Sequence, residues 1–83
     1  QHTVRAKGVR DGDIAVPLGA LAEARPEVNF GSYPWMKAGK SGTDFGVNLV
    51  ARCRDPDLIA AAVDAMAEIL RAQGAKPEID PKN

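Results

Sequence analysis

The chain has 83 residues, 45% of them apolar and 27% charged, with 11 Lys and Arg balancing 11 Asp and Glu. That is enough sequence for one domain and too apolar a composition for a disordered one, and a chain of this size buries only about 60–65% of its unfolded surface, so its core is thin. The zero net charge predicts no nucleic-acid or membrane partner, the single Cys53 excludes an internal disulfide and a cysteine-rich metal site, and no run approaches the ~20 apolar residues of a membrane span.

Taken in chain order, residues 2–9 read as a strand, because Val4, Ala6 and Gly8 alternate with Thr3, Arg5 and Lys7. Arg10-Asp11-Gly12-Asp13 reads as a turn. Residues 14–25 read as a helix with Ile14, Leu18 and Leu21 on one face. Asp13 is the expected N-cap, and Pro17 requires a start either at Asp13 with a strained first turn or near Pro17 itself. Pro26 stops the helix.

Residues 27–33 read as a second short strand, with Val28 and Phe30 on one face. Residues 34–43, rich in glycine, lysine and hydroxyl side chains towards the end, read as a long loop, a place where contacts are often made. Residues 44–53 are the clearest strand: Phe45, Val47, Leu49, Ala51 and Cys53 point one way, and Gly46, Asn48, Val50 and Arg52 the other.

Residues 56–73 are the clearest helix. Ile59, Val63, Met66 and Leu70 form its apolar stripe, Asp55 is a good N-cap with Pro56 after it, and Gly74 suits a left-handed C-cap. Residues 75–80 offer a short edge strand, to which Pro77 confines them. The expected fold is therefore α+β, a two-layer sandwich of order β-α-β-β-α(-β) with two helices on one face of a small antiparallel sheet, ferredoxin-like if the last strand forms. One domain spans residues 1–76, with 77–83 a tail or short edge strand. The start, Gln1-His2-Thr3-Val4-Arg5, lacks an initiator Met and a signal-peptide core, so the sequence is expected to begin in mid-protein, and a lone thiol suits a reducing, cytoplasmic setting.

Motifs for chemistry are sparse. Gly39-Lys40-Ser41 ends like a phosphate-binding loop, but Pro34 stands where that motif needs its first glycine, and a strand rather than a helix follows. Asp44-Phe45-Gly46 spells a kinase metal-binding triplet in a chain far too short for a kinase. His2 is the only histidine, Cys53 lies in the apolar register of a strand, and no nucleophile–base set or metal-ligand spacing assembles. No catalytic, metal or cofactor-binding residue is assigned.

The groups that remain are suited to contact. Tyr33, Trp35, Met36 and Lys40 lie in the 33–43 segment, where Trp35 either forms a contact patch or folds back over the core edge. Arg5, Lys7, Asn48, Arg52 and Arg54 give the open sheet face a mildly basic character. A base-stacking role for that face lacks aromatics on the first strand, so nucleic acid is disfavoured.

The runs Val28-Asn29-Phe30-Gly31-Ser32-Tyr33-Pro34-Trp35 and Gly46-Val47-Asn48-Leu49-Val50-Ala51-Arg52, followed by Asp55-Pro56, resemble the C-terminal accessory region of bacterial competence/damage-inducible protein A (CinA)-like, molybdopterin-binding-domain proteins. Val9-Arg10-Asp11-Gly12-Asp13-Ile14 resembles the turn before that region's first helix. The resemblance implies a non-catalytic accessory domain packed against an upstream ligand-binding domain or a second subunit. Molybdopterin or nucleotide chemistry, pyrophosphate hydrolysis or a nicotinamide-nucleotide amidase would then belong to the parent protein alone. Beside it stand two other readings: a small-metabolite-sensing module, and a weak RNA or single-strand binder using the open sheet face.

Overall fold

A computed structural model describes residues 1–39 and 42–80. The order is β1 (His2–Lys7), α1 (Asp11–Ala24), β2 (Asn29–Gly39), β3 (Gly42–Arg52), α2 (Pro56–Ala72) and β4 (Glu78–Ile79). The sheet order is β2-β3-β1-β4, every neighbouring pair antiparallel, with both helices packed on one face. This is the expected ferredoxin-like sandwich, closed by the short β4 beside β1.

Alternation of side chains in β1 and β3 builds the layer boundary. Val4 pairs with Leu49 and Ala6 with Val47, all four at most 1% exposed. Ile14 and Leu18 of α1, and Ile59, Ala62, Val63, Met66 and Leu70 of α2, cover them.

α2 matches its sequence signals closely. The Asp55 carboxylate accepts from the Asp57 N–H at 2.8 Å and the Leu58 N–H at 3.3 Å, and Pro56 sits where the helix has no N–H partner to offer. Gly74, at φ +79°, turns the chain out of the helix with its N–H bonded to the Arg71 carbonyl. Asp55→Ala is expected to cost about 1 kcal/mol of stability, read as a lower urea midpoint at unchanged slope.

The start of α1 and the extent of β2 differ most from expectation. The segment 10–13 is not a turn: α1 starts at Asp11, Arg10 occupies the N-cap position without a side-chain cap bond, and Asp13 lies inside the first turn. Pro17 therefore falls in the second turn and leaves the Asp13 carbonyl without its helical donor. The apolar anchors Ile14 and Leu18, buried on either side of it, hold the helix through that loss.

The largest difference is at 34–43. β2 continues through Pro34, Trp35, Met36, Lys37 and Ala38, paired residue by residue with β3 from Val47 back to Thr43. What read as a loop is the far half of a long hairpin. Pro34 is tolerated because β2 is the sheet edge, where alternate N–H groups point away from the partner strand. On that outer side a proline also interrupts the unpaired ladder, which protects the edge from pairing with another chain. Cys53 lies just beyond β3, half-buried against the core, its sulfur accepting from the Asp55 N–H at 3.5 Å.

Candidate functional site

The face of the sheet turned away from the helices gathers most of the contact residues singled out above. Cross-strand pairing sets Lys7, Gly46 and Trp35 in one row, and Glu78, Arg5, Asn48 and Tyr33 in the next. Arg52, at the end of β3, donates to the Gln1 side chain at 2.7 Å.

Gly46 organises this face. It is buried, and a Cβ placed on it would lie 2.5 Å from the Trp35 ring and 2.1 Å from the Ala6 carbonyl oxygen. The absent side chain is the space into which the indole lies across β3 towards β1. The Arg5 guanidinium then stacks on the ring, 4.1 Å from its centroid. Arg5 has Glu78 as its direct cross-strand neighbour, yet forms no ion pair with it. An exposed cation–π contact of this kind contributes about 0.5–1 kcal/mol.

Around the stack, Lys7 pairs with Asp44 at 3.3 Å, largely in solvent, so the pair contributes little to stability. Lys37 is exposed beside it in a shallow cleft shared with Arg5, Lys7, Trp35 and Asp44. Two polar atoms under this layer, Trp35 Nε1 and Asn48 Oδ1, are buried without a hydrogen-bond partner among the described residues. A buried donor and a buried acceptor left unpaired are each costly, and such atoms call for an explanation outside the domain's own stability.

Trp35 is thus neither a loop-tip patch nor a lid on the core. It is a half-buried ring on the open face. Met36, in contrast, faces the helix side, paired with Phe45 in a cleft shared with Val9, Arg10 and Asp11 at the start of α1; 74% and 36% of their surfaces are exposed. Lys40 lies outside the described residues. His2 and Cys53 line a separate cleft with Arg54 and Asp64 beside α2. Among the described residues no three His, Cys, Asp or Glu side chains gather, and no helix is long and apolar enough to cross a membrane.

Lys37, Asp44, Glu78 and the pivotal Gly46 were missing from the sequence-derived set. A glycine inside an otherwise well-formed strand was the available signal, because it marks close approach of another group.

Comparison with known proteins gives one finding. The family model described as FAD synthase, middle domain, matches residues 7–78. The chain belongs to the FAD synthase middle-domain family. No curated protein and no solved structure gives a match.

This membership overturns the CinA-like, molybdopterin-binding assignment and the competence/damage-inducible parent it implied, and it supports neither the metabolite-sensing nor the strand-binding reading. The residues that carried the resemblance explain the error. Gly31 lies under the Tyr33 ring, Val47 and Leu49 are core, and Asp55-Pro56 starts α2. They specify a hairpin and a helix start, not a ligand.

The FAD synthase name raises the question of a dinucleotide, and the helix N-termini of this domain do not fit one. The free N–H groups at the positive end of a helix are one common seat for a pyrophosphate. In α1 that end carries Asp11 and Asp13, and in α2 the Asp55 carboxylate already holds the first N–H groups, with Asp57 beside it.

Proposed function

We propose that this chain is a non-catalytic middle module of an FAD synthase-type protein, and that its open sheet face docks against a neighbouring part of the same protein. Family membership supports the parent. The docking reading is carried by the Arg5–Trp35 contact, with the indole Nε1 and the neighbouring Asn48 Oδ1 buried and unpaired, on a face that no helix covers. The face presents a cation, aromatic rings and an amide, groups that recognise a surface, rather than a nucleophile with a base in reach. Nucleotide chemistry then belongs to other parts of the protein.

The test uses the full-length protein with Tyr33→Ala and Lys37→Ala together, both exposed in this chain. The expected result is faster protease cleavage at the module's borders and a shorter half-life of FAD synthesis at elevated temperature, with the sheet and helix content intact. An unchanged cleavage pattern and half-life would show that the face is simply solvated.

A further inference from the structure

The zero net charge conceals a segregated one. α1 and α2 carry Asp11, Asp13, Glu23, Asp57, Asp64 and Glu68 against a single Arg71. β1, β2 and β3 carry Arg5, Lys7, Lys37 and Arg52 against a single Asp44. The helix layer is acidic, whereas the opposite sheet face keeps a slight excess of cations, since Glu78 of β4 and Asp80 just beyond it join Asp44 beside Arg5, Lys7 and Lys37.

From this we infer that the surface docked on the open face is a carboxylate-rich protein surface of a neighbouring part of the same polypeptide, with Arg5 as its anchor. The inference rests on the docking reading above and adds the chemistry of the partner. Lys7 is ion-paired with Asp44, whereas Arg5 and Lys37, which border the same cleft as the Trp35 ring, have Glu78 and Asp44 as cross-strand neighbours but form no ion pair with them. A guanidinium whose carbon sits over an indole ring can turn its N–H groups outward to meet a carboxylate in a bidentate pair. The stack orients those donors before the partner arrives.

Charge also selects among occupants. Two copies docked face to face through a two-fold axis would set Arg5, Lys7, Lys37 and Arg52 against their own kind. Sheet face on helix face matches in sign but is head-to-tail, so it yields a ring or an open filament rather than a two-fold dimer. A neighbouring acidic surface satisfies the cations without either difficulty.

Hydroxyl-radical footprinting of Tyr33 in the full-length protein separates the possibilities. Protection of Tyr33 is expected at low salt and should fall several-fold towards 1 M salt, where the screening length shrinks to about 3 Å. Arg5→Glu with Lys37→Glu should abolish it at every salt concentration, while Arg5→Lys with native Lys37 should leave a weaker, still salt-dependent protection, because lysine keeps the charge but not the bidentate fork. Protection that ignores both salt and charge reversal keeps the docking reading and overturns the acidic partner. No protection in the native protein overturns the docking reading itself. Protection that grows with protein concentration assigns the face to a second copy, and protection that appears only when single-stranded RNA is added assigns it to nucleic acid; either result overturns the inference.

Discussion

Gly46→Ala is expected to destabilise the domain by about 3 kcal/mol or more, at the upper end of overpacking costs. The new methyl group would stand 2.1 Å from the Ala6 carbonyl oxygen and 2.5 Å from the Trp35 ring. The ring can swing away, but the carbonyl belongs to the backbone of β1 and cannot, so two central strands must separate. For a chain of this size, whose total stability is about 4–12 kcal/mol, that is a large fraction. Chemical denaturation of the variant checks it. Adding Trp35→Ala should recover only part of the loss, because it removes the softer clash. Gly31→Ala is the control: its Cβ would meet only the Tyr33 ring, at 3.2 Å, and a ring on an exposed edge strand can give way. Equal stability of Gly46→Ala and the native chain would contradict the close approach on which the site is built.

Leu49→Ala should cost about 2–5 kcal/mol, the range for removing a fully buried leucine and leaving a cavity. Leu49 has no exposed surface and sits in β3 between Val4 of β1 and Ser32 of β2, beneath the helices. It is one of few large side chains in a thin core, so little around it can collapse to fill the space. Val16→Ala on α1, where the side chain is 81% exposed, should cost within about 0.5 kcal/mol. A small effect at Leu49, measured by the same denaturation, would mean that the two layers do not share this core.

These two positions also show how far the sequence could be read. The face assignment of Leu49 followed from alternation over 44–53, since a strand covered on one face repeats every second residue. α2 followed from a stripe with a cap at each end. β2 beyond Tyr33 could not be read this way. Pro34-Trp35-Met36-Lys37-Ala38-Gly39 has a proline, a terminal glycine and no alternation, and it is a strand because β3 pairs with it, a tertiary cause. The start of α1 was obscured by Asp11-Gly12-Asp13, residues that favour turns unless a buried Ile14 pins the helix.

The site was legible in its parts and not in its arrangement. Arg5, Lys7, Tyr33, Trp35, Asn48 and Arg52 were each identifiable as contact groups. That Arg5 meets Trp35 depends on registers across three strands, with Gly46 between them. The charge separation was hidden because a sum over the chain carries no positions.

The open sheet face is expected to be covered in the protein to which this module belongs. Tyr33 and Met36 lie three residues apart on opposite faces of β2 and are 55% and 74% exposed in this chain. Hydroxyl-radical oxidation of the full-length protein, with each rate normalised to the intrinsic reactivity of its side chain, compares the two faces directly. Tyr33 should be protected several-fold more than Met36. Equal protection of the two, or a Tyr33 as reactive as its exposure here implies, would contradict it.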